Sequence, residues 1–234
     1  CVKNKIMYKK RKNYKSLLNK IKKKSNWHFN PSKKSKDAKY LGRIKLSSDI
    51  VSGAIKSVEK SPLVPAVQLY KKDLINKAYE KTPVAWGKVD NIQAGYNASN
   101  TLFKQKYFYQ DKTMPKWCKK MLTISKLRDA YLTVHMNPPG STNPWHYDTY
   151  EGIVKKNLNP RNNFKTVKRI LIFIEPWHWG HFLQVGNNII SNWKRGDVYS
   201  WDANRYHLAG NSGWTKRYIL AITGFAERLP KFKI

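Results

Sequence analysis

The chain has 234 residues, which is enough to bury a substantial core, and this length favours a single domain. Hydrophobic residues make up 41% of the chain, so the mean hydropathy of -0.68 reflects its many charged residues rather than a shortage of core material. No apolar run reaches the roughly 18 to 20 residues of a membrane-spanning helix, so no transmembrane helix is predicted.

The charge is strongly positive, with 46 Lys and Arg, 14 Asp and Glu, and a formal net charge of +32. About half of this excess precedes Leu46, where Asp37 is the only acid. Such a surface attracts phosphate backbones or anionic membrane faces, so a polyanion such as nucleic acid is one predicted partner. The alternative is codon bias, which explains the abundance of Lys and Asn but not the shortage of acids.

Cysteine content bears on the cellular compartment. The two cysteines, Cys1 and Cys118, are too few for a disulfide framework, and neither has the spacing of a zinc site. The basic N-terminal residues are not followed by the apolar stretch of a secretory signal peptide. These features predict a reducing, intracellular location, the cytoplasm.

The N-terminal residues 1–45 are mostly Lys, Asn and Ser, and we interpret them as a basic arm. From residue 46 to residue 234 we predict one domain whose N-terminal part is helical. Capping residues and helical spacing indicate a helix over 47–60, a second over 72–81, and a third that starts at Pro115. Residues 84–112 are rich in aromatic residues and Asn, and fit no single pattern.

From about residue 125 short apolar segments alternate with turn residues. This pattern is typical of an all-β barrel or a double-sheet jelly roll. The pair Gly186 and Asn187 predicts a tight hairpin. The predicted fold class is therefore mainly β with flanking helices (α+β). The predicted strands are 130–136, 169–174, 182–185, 188–192, 197–201 and 218–225.

One sequence pattern indicates a metal site. His146 and Asp148 are two residues apart, so on an extended segment their side chains share one face. His207 follows a strand and a turn, and can reach the same barrel interior. Two imidazoles and one carboxylate form the facial triad of non-haem Fe(II) oxygenases. Since such a short motif also occurs by chance, the alternative is a jelly-roll protein with coincidental histidines.

A second pattern follows ten residues after His207, where Arg217 opens the last predicted strand. A guanidinium can hold a carboxylate through two hydrogen bonds. Pointing into the barrel, Arg217 would fix the distal acid of a dicarboxylate co-substrate.

These residues, together with Gly196 and Asp197, resemble the 2-oxoglutarate/Fe(II)-dependent dioxygenase superfamily over about residues 125–226. The pattern is most similar to the prolyl-hydroxylase-like branch, which includes small forms from phages and marine microbes. The resemblance implies a double-stranded β-helix core, of the jelly-roll or cupin-like type. It also implies Fe(II) held by the triad, 2-oxoglutarate bound by Arg217, and ascorbate as an accessory reductant.

The resemblance suggests further site residues. Many relatives place a tyrosine on the strand before the HxD motif in contact with the co-substrate; here Tyr131, His135 and Asn137 share one strand face, and Tyr131 is our choice. Trp145, Tyr147 and Trp179 are predicted at the substrate rim. The neighbouring His178 and His181 are predicted to be rim or structural residues rather than ligands.

The sequence does not decide between a peptide substrate and a nucleic-acid substrate. The resemblance favours hydroxylation of a peptidyl residue such as proline, whereas the charge favours oxidation of nucleic-acid bases, which the aromatic residues near the site could stack on. We favour the peptide slightly, because net charge bears only on attraction. A third hypothesis is a non-catalytic basic jelly-roll module that binds nucleic acid.

Overall fold

The computed structural model describes residues 37–66, 96–148, 150–156, 159, 161–202 and 205–233. The helix predicted at 72–81 and most of the predicted basic arm lie outside these residues. Among the described helices, none is long and apolar enough to cross a membrane.

Three helices and eleven strands are present in the described part of the chain. The helices are α1 (Ser48–Glu59), α2 (Lys116–Ser125) and α3 (Glu151–Lys156). The strands are β1 (Lys39–Arg43), β2 (Val64–Pro65), β3 (Leu102–Phe108), β4 (Arg128–Asn137), β5 (Ser141–His146), β6 (Val167–Phe173), β7 (His181–Val185), β8 (Asn188–Ile190), β9 (Asp197–Ser200), β10 (His207–Asn211) and β11 (Arg217–Phe225).

The strands form two antiparallel sheets. The large sheet has the order β1-β9-β6-β11-β4-β3-β2, and the small sheet has the order β5-β10-β7-β8. From β4 onward the chain passes repeatedly between the sheets, with β4, β6, β9 and β11 in the large sheet and β5, β7, β8 and β10 in the small one. This winding is that of a double-stranded β-helix, so the predicted mainly β, jelly-roll fold is confirmed.

Strands β6 and β11 in the middle of the large sheet are buried on both faces, which is why they contain the continuous apolar runs 170–173 and 219–222. Ile170 and Ile172 of β6 point to the outer face, where they pack with residues of α1 and α2 such as Ile50 and Met121. Phe173, the last residue of β6, belongs to a second core that includes side chains of the small sheet. The helices thus cover one face, and the space between the sheets holds the other core.

Local sequence signals account for several elements. The helix predicted over 47–60 is α1, and α2 begins directly after Pro115 as predicted. The helix α2 ends where Lys126 takes a left-handed conformation, with φ of 55°. The predicted hairpin joins β7 to β8, and Gly186 supplies its positive φ of 53°.

The boundary of the predicted arm is wrong at its C-terminal end. Residues 39–43 form strand β1, which pairs with β9 in the large sheet. The Nε of Arg43 donates to the buried Asp197 carboxylate at 2.6 Å, so a basic residue of this segment serves the fold. Gly42 has φ of 108°, and a Cβ there would lie 1.8 Å from the Phe232 carbonyl oxygen, which only glycine avoids.

Four further strands were not predicted, and one of them is the two-residue strand β2. Strand β3 lies inside the unassigned residues 84–112, and its lysines mask the alternation of a half-buried strand. Strands β5 and β10 are short and contain Pro144 and Gly210, which weaken a strand pattern. These two strands carry the candidate histidines.

Candidate metal centre

The small sheet brings the two histidines of the predicted triad together. His146 is the last residue of β5 and His207 is the first residue of β10, and the register places them opposite each other. Their ring centroids are 4.2 Å apart. Asp148 follows β5 by two residues, and the ligand atoms of all three side chains lie within 4.8 Å of one another. This His-Asp-His group could bind a metal ion.

Backbone carbonyls fix the protonation of both imidazoles. The Nδ1 of His146 lies 2.7 Å from the Pro144 carbonyl oxygen, and the Nδ1 of His207 lies 3.0 Å from that of Arg205. Since a carbonyl oxygen only accepts, each Nδ1 carries the hydrogen and each Nε2 presents a lone pair. Burial lowers the pKa of His146 to about 3 and also lowers the pKa of His207, so both rings are neutral ligands at neutral pH.

The carboxylate of the triad is held by an arginine that sequence reasoning missed. Arg169 of β6 donates from its NH1 to Asp148 Oδ2 at 2.6 Å, and from its Nε to Thr223 Oγ1 at 2.9 Å. Its guanidinium also lies over the Tyr150 ring, 5.1 Å from the centroid. Burial raises the pKa of Asp148, but the positive charge of Arg169 outweighs it and helps to bring the value to about 2. Asp148 is therefore an oriented anion.

Arg217 lies at the first position of β11 and is fully buried. Its NH1 donates to Asn137 Oδ1 at 3.1 Å, and its guanidinium carbon is 5.7 Å from the centroid of the Trp193 ring. Its Nε and NH2 are buried without a hydrogen-bond partner, and no carboxylate of the described residues pairs with it. Burial lowers the pKa of Arg217 to about 10, so the group stays charged at neutral pH. A buried cation with two free donors matches a ligand carboxylate.

Hydrogen bonds of neighbouring polar residues position the partner of Arg217. Asn137 donates from Nδ2 to Asn143 Oδ1 at 3.1 Å, and its backbone oxygen accepts from Asn211 Nδ2 at 2.9 Å. These contacts join β4 to both strands that carry the histidines. The Oδ1 of Asn137 is thereby turned toward Arg217.

His135 lines the space between the triad and Arg217. It lies two residues before Asn137, on the same face of β4, and its ring nitrogens are 3.4 and 3.5 Å from Gln105 Nε2. Burial lowers the pKa of His135 to about 3, and the nearby charges of Arg169 and Arg217 act in the same direction. The neutral ring of His135 therefore lies near both Arg169, which binds the triad, and Arg217.

Tyr131 lies at the Asp148 end of the site. The register pairs it with Thr223, which is six residues along β11 from Arg217. Its ring neighbours are Tyr107 and Tyr109. The structure does not place Tyr131 beside Arg217. A contact of Tyr131 with the co-substrate near the metal ligands stays a prediction.

The three residues predicted at the substrate rim differ in burial and position. Trp145 is half-buried on β5, whereas Tyr147 is buried and packs against the Tyr206 ring, with centroids 5.1 Å apart. Trp179 is 78% exposed but precedes His181, which pairs with Asn211 at the end of β10 away from His207. The structure therefore separates Trp179 from the triad.

The two other histidines of this segment do not join the triad. His181 is buried, and its Nε2 lies 3.0 Å from the Thr215 carbonyl oxygen, which supports a structural role. His178 packs its ring near that of His181, with centroids 5.6 Å apart. Both contacts lie at the far end of the small sheet.

Comparison of the sequence with models of known protein families and with curated proteins finds no match. Among solved structures, the chain is similar to a Pseudomonas putida prolyl-4-hydroxylase at 12% identity, with 76% of this chain and 100% of that chain covered and a TM-score of 0.39. A cupin 2 conserved barrel domain protein from Rhodopseudomonas palustris matches at 10% identity, over 74% of this chain and 77% of that chain, with a TM-score of 0.34. Another from Salinispora arenicola matches at 10% identity, over 53% and 76%, also with a TM-score of 0.34. At these values the similarities carry no argument about activity.

Proposed function

We propose that this protein is an Fe(II)- and 2-oxoglutarate-dependent dioxygenase that hydroxylates a C–H bond. The observation that carries the proposal is the buried guanidinium of Arg217, whose Nε and NH2 have no partner among the described residues, in the same barrel as the His-Asp-His group. A metal site alone fits many cupin-like proteins. A metal site together with an unpaired buried cation fits a co-substrate that is both a chelator and a carboxylate.

The donor set suits ferrous iron. His146 and His207 would each supply Nε2, Asp148 would supply a carboxylate oxygen, and three positions would remain for other ligands. Iron bound there would supply the activation of dioxygen. Arg169 keeps one Asp148 oxygen in a hydrogen bond, so the carboxylate is oriented before any metal arrives.

The co-substrate would lie between the triad and Arg217. Arg217 would hold its distal carboxylate through Nε and NH2, with Asn137 keeping the guanidinium in place. The neutral His135 would line the same space without adding a charge. In the balanced reaction, dioxygen, 2-oxoglutarate and a C–H bond give a hydroxylated product, succinate and CO2.

The peptidyl substrate favoured by the resemblance, such as proline, stays a prediction, and proline-rich peptides form one arm of the test. The purified protein is supplied with Fe(II), ascorbate and 2-oxoglutarate, and succinate is measured with and without peptides and single-stranded nucleic acid. In parallel, thermal unfolding is followed with Mn(II) as a redox-inert stand-in, alone and with 2-oxoglutarate.

The proposal expects succinate formation, a metal-dependent rise in the unfolding temperature, and a further rise with 2-oxoglutarate. Asp148→Ala should remove all three. Protein that forms no succinate and shows no metal-dependent shift would be a non-catalytic jelly-roll module instead.

A further inference from the structure

Three tyrosines form an exposed aromatic cluster beside the candidate metal centre. The rings of Tyr107 and Tyr109 have centroids 6.0 Å apart and planes within 5° of parallel. Tyr131 lies against both, with centroid distances of 6.1 and 5.6 Å. Tyr107 is 45% exposed and Tyr109 is 58% exposed, so their ring surfaces are open to a ligand. We call Tyr107, Tyr109 and Tyr131 the tyrosine cluster.

The tyrosine cluster is linked to the triad by one chain of contacts. The strand register pairs Tyr131 with Thr223, whose hydroxyl accepts from Arg169, and Arg169 binds Asp148. The hydroxyl of Tyr131 also interacts with the Arg169 guanidinium. A ligand stacked on the cluster would therefore lie next to the carboxylate side of the metal centre.

The cluster and the predicted co-substrate site lie at opposite ends of β11. Thr223 is six residues from Arg217, which corresponds to about 20 Å along an extended strand. Asp148 lies toward the Thr223 end, because Arg169 binds both residues. From there the β4 face leads through His135 to Asn137 and Arg217. A co-substrate held by Arg217 would leave the tyrosine side free for the substrate.

The charge of the chain favours an anionic occupant. The full chain has 46 Lys and Arg against 14 Asp and Glu, so most of its cations have no acidic partner, and six acids of the described residues already form ion pairs. The pairs are Asp37–Arg205, Arg43–Asp197, Lys39–Asp202, Glu59–Lys104, Arg128–Glu227 and Asp148–Arg169. This net charge attracts a polyanion, whereas it does not attract a neutral peptide.

We propose that the tyrosine cluster is a base-stacking platform that binds single-stranded nucleic acid and presents a nucleotide to the metal centre. This inference rests on the proposed function for the oxidation step, in which a C–H bond of the nucleotide, dioxygen and 2-oxoglutarate give the hydroxylated nucleotide, succinate and CO2. Aromatic faces can stack on any base, and the negatively charged phosphates are attracted by the positive charge of the protein. A single strand is required because a base inside a duplex cannot reach these rings.

Binding is tested on the full chain without iron or 2-oxoglutarate, so that it does not depend on turnover. Fluorescence anisotropy is measured with labelled DNA and RNA strands of about 12 nucleotides, within the site sizes of known single-strand binders, over a range of salt concentrations. The variants are Tyr107→Ala, Tyr109→Ala and Tyr109→Phe. The matched control is Trp214→Ala, which removes a 91% exposed aromatic ring from the turn between β10 and β11, at the Arg217 end.

The proposal expects each alanine variant to bind about five-fold or more weakly at fixed salt, with an unchanged salt dependence, because a stacked ring is lost and phosphate contacts remain. Tyr109→Phe should bind like the wild type, and so should Trp214→Ala. Equal affinity of wild type and alanine variants, or an equal loss in Trp214→Ala, overturns the platform. Thermal unfolding checks that each variant is folded.

Turnover then separates this inference from the proposed function. With iron and 2-oxoglutarate, mass spectrometry of methylated single strands and of proline-rich peptides follows the gain of one oxygen atom. Oxidised nucleic acid, reduced in Tyr109→Ala, supports the inference. Hydroxylation of peptide alone overturns it and leaves the dioxygenase in place. Absence of succinate with every substrate, together with weakened binding by the alanine variants, overturns the proposed function and leaves the binding platform in place.

Discussion

At the scale of single residues, Asp148 and Arg169 depend on each other. The side chains are 15% and 21% exposed and their ion pair spans 2.6 Å, so removal of the carboxylate leaves a mostly buried cation without its partner. We therefore predict that Asp148→Ala lowers the free energy of unfolding of the metal-free protein by about 1–3 kcal/mol.

Asp148→Asn is the matched comparison, because its amide oxygen can still accept from Arg169. It should lose metal binding like Asp148→Ala but keep most of the stability. Urea unfolding and Mn(II) titration measure the two effects separately. Equal stability of Asp148→Ala and Asp148→Asn would show that the ion pair does not contribute.

Arg169 itself should control metal affinity without binding metal. Replacement by Met removes the hydrogen bond that orients Asp148, and losses of about 10- to 100-fold in affinity are typical for residues that support a metal ligand. Arg128→Met is the control, since Arg128 pairs with the exposed Glu227 at 3.3 Å. Mn(II) titration of both variants checks the prediction. An unchanged affinity in Arg169→Met would contradict it.

Replacement of Arg217 should affect stability and ligand binding in opposite directions. Its charge is buried without a carboxylate partner among the described residues, so Arg217→Met should leave the ligand-free protein as stable as the wild type or up to about 2 kcal/mol more stable. The stabilisation by 2-oxoglutarate should disappear, and the concentration required for turnover should rise by at least about ten-fold. Arg217→Lys keeps the charge and should retain part of the affinity. A large loss of stability in Arg217→Met would indicate a structural role.

Site residues could be predicted from the sequence where they belong to a short sequence motif. The spacing of His146 and Asp148 is visible in three consecutive residues, and His207 and Arg217 were found through their spacing and a resemblance. Arg169 gave no such signal, because it follows Lys168 in a chain with 46 basic residues. Its role depends on the pairing of β6 with β11 and on the path of the chain after β5, which only the fold reveals.

At the scale of elements, Glu59 joins the last turn of α1 to two strands of the large sheet. Its carboxylate accepts from Lys104 of β3 at 2.9 Å, from Lys216 at 2.7 Å, and from the hydroxyl of Tyr218 in β11. Burial raises the pKa of Glu59, but the hydrogen bonds from Lys216, Tyr218 and Lys104 outweigh it and lower the value to about 2. The ionised form is therefore stabilised by folding.

Glu59→Gln should reduce the free energy of unfolding by about 1–2 kcal/mol at pH 7, after allowance for solvent screening. Because the folded-state pKa lies below the ordinary value of 4.5, this contribution is complete above about pH 4.5 and is lost as the pH falls toward 2. Urea unfolding at pH 7 and pH 3 should show the difference from wild type shrinking at low pH. Glu227→Gln, in a single exposed ion pair, should change stability by less than about 0.5 kcal/mol.

The elements predicted from sequence are those with a strong local signal. Strands β6 and β11 contain apolar runs, although they also carry Arg169 and Arg217, and α1 and α2 have capping signals, so they were recognised. Strands β5 and β10 were not, because their buried residues include Ser141, Asn143 and Asn211, which hydrogen-bond around the site instead of forming an apolar face. A strand that lines a polar site departs from the alternation that identifies strands.

At the scale of the whole molecule, the charge is unevenly distributed along the chain. Residues 1–36 contain 14 of the 46 Lys and Arg and no acid. The described fold begins at Asp37, which pairs with Arg205 at 3.2 Å and accepts from the backbone N–H of Asn187 at 3.2 Å. A deletion that tests the charge of the N-terminal residues must therefore end before Asp37, or it removes an anchor of the small sheet.

Deletion of residues 1–36 separates electrostatic attraction from stacking. If these cations contact a nucleic-acid strand, the deleted protein should show a shallower dependence of binding on salt, because fewer counterions are released. The loss caused by Tyr109→Ala should be the same in the full and the deleted chain, since a stacked ring acts independently of distant phosphate contacts. Succinate formation without nucleic acid should not change. An identical salt dependence in both chains would favour codon bias as the origin of the basic N-terminal residues.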